Sequence, residues 1–432
     1  MLFRNISYID ENFEVKRGDI AVVDGVITQI GQGNIIAPQG ISEVIDGAAR
    51  LLMPGIVNLH SHVPMTLLRG YGEGLPLQRW LNERVFPFED RMTGEDVYWG
   101  ALIGIAEMLA SGVTSFSDMY NFCGEICEAV KHSGIKINVC RGIVEFGDGG
   151  LYGSVRQLES EALIHDWNGA CSGRIVVENA LHSEYLTNER VVRDMAEFAK
   201  ASDLGVHLHL SETLSEHTEG VARRGKTPAQ YFEDLGIFEH RVTAAHCTHI
   251  TPDDIKILAR NGVTAVHCPS SNLKLGSGVA PVPDMLAAGI NVALGTDGAS
   301  SNNNLNMFEE MHLAGIIHRG VAMNPELTPA TQVIRMATKN GAIGQGRLDT
   351  GVIAVGNRAD LAVLNLNKPH LTPVHDILSD VVFAAQSGDV EMTIVDGEVV
   401  YQNGEFLKFD IFEAMENAAQ SARRIAAELS CG

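Results

Sequence analysis

Two histidines separated by one residue close an apolar run near the start of the chain. The run spans residues 53–59, and His60 and His62 stand at its end. In an extended strand, residues i and i+2 project to the same side, so both imidazoles would leave one strand together. Such a pair can bind a metal ion, although two polar residues can also simply close a strand. The spacing of residues further along the chain favours the metal interpretation.

A second apolar run, residues 206–210, contains His207 and His209 and is followed by Glu212. The two histidines have the same parity in a strand, so either can be a metal ligand, and either can be a hydrogen-bonded core residue. Glu212 lies in the loop that would cover a pocket. We expect it to carry protons there rather than to bind metal. The competing interpretation of Glu212 is a carboxylate at a helix N-terminus.

Two further runs end in polar residues of the same kinds. His246 follows the run 242–245, and Asp297 follows the run 290–294. His246 could instead belong to a local cluster with Cys247 and His249, and Asp297 could form a turn before glycine. Three imidazoles and one carboxylate suit one divalent ion, most of all zinc, with iron or manganese as alternatives. Zinc lowers the pKa of its bound water to about 7, and His246 could hold the resulting hydroxide.

The middle of the chain must bring these residues together. Eight short apolar runs alternate there with helical patterns. The runs are residues 55–58, 113–116, 135–140, 174–180, 206–210, 242–245, 263–266 and 290–294. This rhythm predicts an α/β fold, a distorted (β/α)8 TIM barrel, in which the ends of the strands carry the chemistry. A doubly wound sheet would show a glycine-rich phosphate turn after its first strand, where this chain has the two histidines.

Both ends of the chain predict a second, smaller domain. Asp24-Gly25 and Asp396-Gly397 each lie between apolar runs, which is typical of tight β-hairpins. Residues 410–429 are rich in alanine with glutamate and arginine, which favours a closing helix. We therefore predict a small β-sandwich domain built from residues 1–55 and 350–432, and a barrel domain over residues 56–349.

Composition excludes several classes of function. The chain has 432 residues and a net charge of -22, which argues against a nucleic-acid partner. The N-terminal residues lack the apolar segment of a signal peptide, and no stretch reaches the roughly 18 apolar residues of a membrane helix. The seven cysteines are odd in number and scattered. They are typical of reduced thiols, so we expect a cytoplasmic protein with no membrane partner.

Other chemistries fit the sequence less well. His182-Ser183-Glu184 matches the first half of the zinc-deaminase signature of enzymes that act on nucleic acid, but no Pro-Cys-x-x-Cys follows. The chain has no His-Glu-x-x-His motif and no P-loop. Nothing in the sequence activates Cys247 as a nucleophile.

At this point the sequence resembles the amidohydrolase superfamily. The segments that carry the resemblance are Pro-Gly-Ile-Val-Asn-Leu-His-Ser-His (54–62), Leu-His-Leu-Ser-Glu-Thr (208–213), Ala-Ala-His-Cys (244–247) and Gly-Thr-Asp-Gly (295–298). Within the superfamily, the chain is similar to the 5-methylthioadenosine/S-adenosylhomocysteine deaminases. The tracts 63–70, 268–276 and 297–303 carry that closer similarity.

The resemblance implies a role for each candidate residue. It favours His209 over His207 and gives the metal ligands as His60, His62, His209 and Asp297. It makes Glu212 the proton shuttle and His246 the residue that orients the hydroxide. Its substrate contacts are Trp80 for the base, Glu89 for the ribose hydroxyls, His182 as a further contact, and Arg141 and Arg156 for an amino-acid carboxylate. In that family the second arginine comes from a neighbouring subunit, which implies a homo-oligomer, a dimer or a tetramer.

The physical properties of these side chains agree with the roles. Trp80 offers a flat apolar face to adenine, Glu89 can accept two hydroxyl hydrogen bonds, and Arg141 can bind a carboxylate with two nitrogens. Taken alone, Trp80 could equally be a core residue and Arg141 a surface ion pair. We also expect residues 60–90 to form a long loop over the strand ends.

The expected function is metal-dependent hydrolytic deamination of an adenine nucleoside. The candidate substrates are S-adenosylhomocysteine, 5-methylthioadenosine, 5'-deoxyadenosine and adenosine. The nearest alternative is hydrolysis of an s-triazine or of a free base such as guanine on the same scaffold. A non-catalytic metal-binding protein is a further alternative, which the complete set of acid–base residues argues against.

Overall fold

The computed structural model describes residues 1–33, 35–37 and 43–431. Its centre is a parallel eight-stranded barrel whose strands follow one another in sequence order. The barrel strands are β6 Ile56–Ser61, β7 Val113–Tyr120, β8 Lys136–Arg141, β9 Ile175–Ala180, β10 Val206–Leu210, β11 Val242–His246, β12 Thr264–His267 and β13 Asn291–Leu294. Each of the eight predicted runs is a strand, so the barrel prediction is confirmed.

Burial on both faces explains why the runs are continuously apolar. Strands β6, β7 and β10 are buried at every residue, as expected where helices cover the outside of a parallel barrel. The helices that connect and cover the strands are α1 Leu77–Trp80, α2 Phe86–Glu89, α3 Gly94–Ala110, α4 Cys123–Ser133, α5 Val155–Trp167, α6 Ala170–Gly173, α7 Glu189–Ser202, α8 Leu214–Arg224, α9 Pro228–Asp234, α10 Pro252–Arg260, α11 Pro269–Lys274, α12 Val282–Ala287, α13 Met307–Ala322, α14 Ala330–Ala337 and α15 Lys339–Gln345.

The join between the first and last barrel strands differs from the other joins. The paired residues that connect neighbouring barrel strands run in order from β6 to β13, and among the described residues none connects β13 back to β6. Individual bonds close this join instead. The side chain of Asn58 accepts the N–H of Thr296 at 3.0 Å, and the N–H of Asp297 donates to the carbonyl of His60 at 3.0 Å. The closing bonds therefore lie beside two candidate metal ligands.

Both termini build a separate mixed sheet, as predicted. Its strands are β1 Leu2–Ile9, β2 Val15–Val23, β3 Val26–Gly31, β4 Val44–Asp46, β5 Arg50–Pro54, β14 Leu361–Asn365, β15 Val390–Val395, β16 Glu398–Gln402 and β17 Glu405–Phe406. Asp24-Gly25 and Asp396-Gly397 form the two predicted hairpin turns, with positive φ at all four residues. The sheet joins the two halves where β5 pairs antiparallel with β14.

The chain passes from the terminal sheet to the barrel at Gly55. A Cβ atom there would lie 2.1 Å from the hydroxyl of Thr114, so the crossing point has no room for a side chain. The predicted domain limits at 55/56 and 349/350 stay a prediction, although the first of them falls at this crossing.

Two helices of the C-terminal part complete the fold: α16 Ile377–Phe383 and α17 Ile411–Cys431. Helix α17 is the predicted closing helix, and it packs along α3 on the outside of the barrel. Among the described residues, no helix is both long enough and apolar enough to span a membrane.

The base of the barrel contacts the terminal sheet through a buried ion network. The ammonium of Lys136 lies 2.7 Å from a carboxylate oxygen of Asp360 and 2.7 Å from one of Asp396. Asp396 also accepts hydrogen bonds from Arg174 at 3.0 Å and from Arg358 at 2.7 Å. Lys136 and Arg174 come from the N-terminal ends of barrel strands, and the other three residues border the terminal sheet, so these ion pairs connect the two units.

The segment 60–90 covers the C-terminal ends of the strands, but it is more helical than the predicted loop. A 3-10 helix spans Val63–Leu68, and turns follow in which Gly70, Gly72 and Gly74 have positive φ. Residues 77–89 then form a nearly continuous helical stretch. Helical bonding holds the last part of this segment, so Trp80 and Glu89 are placed by a rigid element.

Candidate active site

Two imidazole nitrogens at the centre of the barrel face one another without a proton between them. The Nδ1–H of His62 donates to the carbonyl of Met119 at 2.6 Å, and the Nδ1–H of His209 donates to the carbonyl of His182 at 2.8 Å. When the ring is neutral, its Nε2 atom therefore carries no hydrogen and presents a lone pair. These two Nε2 atoms lie 3.3 Å apart. Two lone pairs repel at this distance, and a cation between them would turn the repulsion into attraction.

His60 and Asp297 complete the cluster. The carboxylate Oδ1 of Asp297 lies 3.5 Å from the Nε2 of His60 and 3.3 Å from the Nε2 of His62. Within the described residues, the buried Nε2 of His60 has no hydrogen-bond partner. A buried polar atom left in this state normally has a ligand as its partner.

His207 and His209 both point into the cluster, as their shared parity predicts. The Nε2 of His207 lies 2.9 Å from the Nδ1 of His60, on the side of that ring away from Asp297. His207 thus contacts a candidate ligand from behind, whereas His209 presents its Nε2 to the centre. This arrangement agrees with the resemblance in favouring His209 as the ligand.

Burial favours the neutral form of His60 and His209, which metal binding requires. Loss of solvent lowers the pKa of His60 and of His209 well below the ordinary value. The same cause lowers the pKa of His207 to about 4 and that of His182 to about 3. Burial alone would raise the pKa of Asp297, but the surrounding imidazoles hold it well below its ordinary value, so the carboxylate is charged.

The donor set fits one divalent metal ion. Candidate ligand atoms lie within 4.8 Å of one another in two overlapping groups, which are His60, His62 and Asp297, and His60, His209 and His246. Three imidazole nitrogens and one carboxylate are typical of zinc sites that keep a position for water. The unpartnered nitrogen of His60 and the facing lone pairs of His62 and His209 are the observations that favour an ion here.

The backbone is bent at the ends of three strands that carry candidate residues. Ser211 has φ 46°, His246 has φ 71° and Asp297 has φ 62°. Residues other than glycine rarely adopt the left-handed region, and such conformations concentrate at functional sites. Each bend turns the chain inward over the strand ends. The side chains of Glu212, His246 and Asp297 therefore reach one space.

Glu212 and His246 lie beside the metal cluster and are poised for proton transfer. The Nδ1–H of His246 donates to the amide oxygen of Asn272 at 2.9 Å, which leaves Nε2 facing Glu212 at 3.9 Å. Burial raises the pKa of Glu212. Burial disfavours the charged form of His246, but the carboxylates of Glu212 and Asp297 more than offset it and raise its pKa. The two shifts favour the protonated form of each group, as transfer of a proton from either one requires.

One cavity of about 890 Å³ connects the cluster to the predicted substrate contacts. The predicted site residues that line it are His62, Trp80, Glu89, Arg141, Arg156, His182, His209, Glu212, His246 and Asp297, while His60 lies fully buried next to its floor. The structure therefore brings together all of the residues that the sequence analysis selected.

Glu89 is a half-buried carboxyl in the wall of this cavity. It accepts a hydrogen bond from the hydroxyl of Tyr120 at 2.6 Å, and loss of solvent around the carboxyl raises its pKa to about 7. Trp80 is 5% exposed and also faces the cavity. A flat aromatic surface and a carboxyl acceptor in one wall can bind a planar base that is attached to a sugar.

The other end of the cavity carries charges of both signs. The guanidinium of Arg141 forms an ion pair with Glu159 at 2.6 Å, and Arg156 and Asp166 line the same end. Arg156 lines the cavity of its own chain. Among the described residues, Arg141 donates hydrogen bonds through its Nε and Nη1 atoms, so its Nη2 atom has no partner there.

Several residues that shape the site carried no signal of their own in the sequence. Asp297 accepts hydrogen bonds from Ser271 at 2.6 Å and from Ser301 at 2.9 Å, and Asn272 fixes His246. These three residues lie in tracts that supported the family resemblance, which is the signal that could have found them. Tyr120 and Glu159 lie outside those tracts, and only the structure reveals their contacts.

Comparison with known proteins identifies the class. The sequence profile of the amidohydrolase family matches residues 51–400, which include the whole barrel. The chain belongs to the amidohydrolase family. This finding confirms the resemblance that was drawn from the four motifs.

Two relatives and one crystal structure show which members of the family this chain is similar to. The chain is 46% identical to a 5-methylthioadenosine/S-adenosylhomocysteine deaminase of Acetivibrio thermocellus over 88% of both chains. It is 39% identical to a 5'-deoxyadenosine deaminase of Methanothermobacter thermautotrophicus over 95% of both chains. A crystal structure of an adenosine deaminase from Xanthomonas campestris with bound zinc superposes with a TM-score of 0.93, at 32% identity, over 99% of this chain and 98% of that one.

Proposed function

We propose that this protein is a metal-dependent hydrolase that deaminates adenine nucleosides to inosine-type products and ammonia. One observation carries the proposal: the cavity that holds the facing lone pairs of His62 and His209 is also lined by Trp80 and the carboxyl of Glu89. A centre suited to water activation thus lies next to a site suited to a base with its ribose. The deaminase names of the relatives support the same substrate class.

The proposed ligands of the ion are His60, His62, His209 and Asp297. A divalent ion held by these residues would lower the pKa of water to about 7 and would so supply hydroxide at neutral pH. Zinc agrees with the donor set and with the zinc-bound relative. Metal analysis of purified protein tests this identity against iron and manganese.

Asp297, Glu212 and His246 have separate roles in the proposed reaction. Asp297, kept charged by its neighbours, accepts a proton from the attacking water. Glu212, whose carboxyl pKa is raised by burial, gives a proton to a ring nitrogen of adenine, which makes the adjacent amino-bearing carbon electrophilic. The Nε2 of His246 holds the oxygen as it bonds to that carbon. The proton held by Asp297 passes to the amino group, which leaves as ammonia, and the remaining hydroxyl proton returns to Glu212, which forms the carbonyl of the product and restores the acid.

Substrate binding follows from the walls of the cavity. We propose that Trp80 stacks on adenine and that Glu89 accepts hydrogen bonds from the two ribose hydroxyls. His182 packs face to face on the ring of His209 with centroids 4.5 Å apart, which supports the proposal that it contacts the base. Arg141 and Arg156 would face the substituent at the 5' carbon, including an amino-acid carboxylate.

A steady-state assay tests the proposal. The substrates are S-adenosylhomocysteine, 5-methylthioadenosine, 5'-deoxyadenosine and adenosine, and the readout is the change of the adenine spectrum into that of hypoxanthine. We expect turnover of at least one. Failure of metal-loaded protein to convert any of the four rejects the substrate class.

Glu89 distinguishes this function from hydrolysis of an s-triazine or a guanine-type base. Those substrates have no ribose hydroxyls. Glu89→Gln should lower kcat/KM for nucleosides by about 100-fold, because a hydrogen bond to a charged group contributes about 1.5–3 kcal/mol. A triazine or free-base reaction would remain largely intact in the same variant, and that result would favour the alternative.

The assembly and the location are also proposals. We propose a cytoplasmic homo-oligomer of two or four chains that acts on a small molecule and binds neither nucleic acid nor membrane. Light scattering of the purified protein measures the number of chains. A monomer at micromolar concentration would contradict the oligomer.

A further inference from the structure

The helix that follows the Glu212 loop begins with an unusual hydrogen-bond arrangement. Thr213 precedes α8, and Glu216 lies three residues later, which is the sequence pattern of a capping box. In a capping box, the side chain of the later residue accepts the backbone N–H of the first. Among the described residues, three α-helices do this: Asp96 accepts the N–H of Thr93, Gln230 that of Thr227, and Asp254 that of Thr251.

The side chain of Glu216 binds residues that precede its own cap residue, Thr213. Its Oε1 accepts the backbone N–H of Ser211 at 3.0 Å, and its Oε2 accepts the backbone N–H of Glu212 at 2.7 Å. The hydroxyl of Thr213 still accepts the N–H of Glu216 at 3.1 Å, so the helix keeps its first cap bond. The carboxylate of Glu216 is thus committed to the loop before the helix and not to the helix itself.

The two N–H groups that Glu216 holds belong to the bend that aims Glu212. Ser211 has φ 46°, a conformation that costs free energy for a residue with a Cβ atom. Within the described part of the chain, the side chain of Glu212 has only weak anchors, since the hydroxyl of Ser277 lies 3.4 Å away and the Nε2 of His246 lies 3.9 Å away. The direction of the Glu212 side chain therefore depends on how its backbone is held.

Burial of the Glu216 carboxylate costs free energy, which indicates that the residue has a function beyond capping the helix. Glu216 is 6% exposed, and in the described part of the chain no lysine or arginine forms an ion pair with it. A buried carboxylate without a cation is expensive, and a shorter or neutral residue could cap the helix equally well.

We propose that Glu216 is a positioning residue that holds Glu212 in the orientation needed for proton transfer. This inference rests on the proposed function, because it assumes that Glu212 carries the proton. Glu216 itself does not touch the substrate. It restrains Ser211 in the left-handed conformation, and the restrained backbone points the carboxyl of Glu212 into the cavity.

The test compares Glu216→Gln with a matched capping variant. Glutamine keeps one acceptor oxygen but replaces the other with an NH2 group, which cannot accept an N–H. We expect kcat to fall by about 100-fold, because a displacement near 1 Å of a catalytic group has that effect. KM and metal content should stay close to those of the wild type. Gln230→Ala removes the corresponding bond at α9 and should change kcat by less than about twofold, since capping affects the helix alone.

A second substitution separates positioning from general damage. Glycine adopts a positive φ without strain, so Ser211→Gly combined with Glu216→Gln should recover about tenfold of the lost kcat. If Glu216→Gln does not fold, Glu216→Asp replaces it, because the shorter carboxylate keeps the charge but cannot reach both N–H groups.

Three results would overturn the inference. They are a kcat for Glu216→Gln within about threefold of the wild type, a loss that appears equally in Gln230→Ala, or a double variant with no recovery. Wild-type protein that converts no nucleoside would instead reject the proposed function, so the two failures are distinguishable.

Discussion

The two ends of the barrel bury polar groups in opposite ways. At the base, Lys136 lies between Asp360 and Asp396, and Arg174 and Arg358 supply the remaining hydrogen bonds of Asp396. Every charge in this network has a partner inside the chain. At the top, lone pairs face lone pairs, and the Nε2 of His60 has no partner among the described residues.

The titration behaviour follows the same division. Burial opposes the charge of Asp396, but Lys136 and the two arginines outweigh it and lower its pKa to about 2. At His182 and His207 burial outweighs the neighbouring carboxylates, and their pKa values fall to about 3 and about 4. A buried polar cluster that is complete serves the fold, and one that is incomplete awaits a ligand. The predictions below test this distinction.

The largest effect should follow from Glu212→Gln. General acid–base catalysis contributes roughly 10²–10⁴-fold, so kcat should fall by about 1,000-fold while the metal stays bound. The melting temperature should not fall, because the variant removes a buried carboxyl that nothing in the fold requires. Enzyme assays, metal analysis and calorimetry measure the three quantities. Glu219→Gln, an exposed glutamate on α8, is the control and should behave like the wild type.

Lys136→Met should lower the stability of the fold and leave the activity unchanged, the opposite of Glu212→Gln. Removal of one partner from a buried ion pair costs about 3–5 kcal/mol of folding free energy, since the carboxylates at the base would lack their ammonium. Activity per folded molecule should be unchanged. Denaturant unfolding measures the loss, and Lys256→Met, which breaks an exposed pair with Asp253, should cost less than about 1 kcal/mol. A similar cost for both variants would mean that the base network contributes little.

Metal removal should have an intermediate effect. Free zinc at about 100 times its Kd stabilises a protein by about 2.7 kcal/mol if only the folded chain binds it. Chelation should therefore lower the melting temperature of the wild type, and restored zinc should raise it again. His209→Ala should lose this response. If the melting temperature of the wild type did not change with zinc, the top cluster would be complete without an ion.

The smallest effect concerns acid. Because the folded pKa of Asp396 is about 2, against an ordinary value of 3.8, this group stabilises the fold above pH 3.8. The contribution should decline as the pH falls from about 4 towards 2. The difference in unfolding free energy between the wild type and Asp396→Asn should therefore be constant near neutrality and shrink through this window. Unfolding curves at several pH values measure it, and a difference that grows in acid would contradict the assignment.

Periodicity was enough to predict the barrel and most of the candidate site. The same parity rule that brought His60 and His62 together also pointed both His207 and His209 inward, and the structure confirms that both reach the cluster. Parity could not choose between them, because the choice depends on which ring nitrogen finds a partner. That partner of His207 is His60, which lies 147 residues earlier in the chain.

Contacts over long sequence distances explain what sequence reasoning missed. Asn272 fixes His246 from 26 residues away, and Tyr120 binds Glu89 from 31 residues away. Neither distance is a repeat of a helix or a strand, so no periodic pattern reveals it. The segment 60–90 was predicted as one long loop over the strand ends, but helical hydrogen bonds begin after Pro76 and make its last part helical.

The open join between β6 and β13 gives the metal a mechanical consequence. His60 and His62 belong to the first barrel strand, and Asp297 follows the last. The proposed ion would connect the first and last strands of the barrel. Among the described strands, this is the one pair of neighbours that no ladder of paired residues joins. Under force, the empty barrel should open at this position first, and the loaded barrel should open elsewhere.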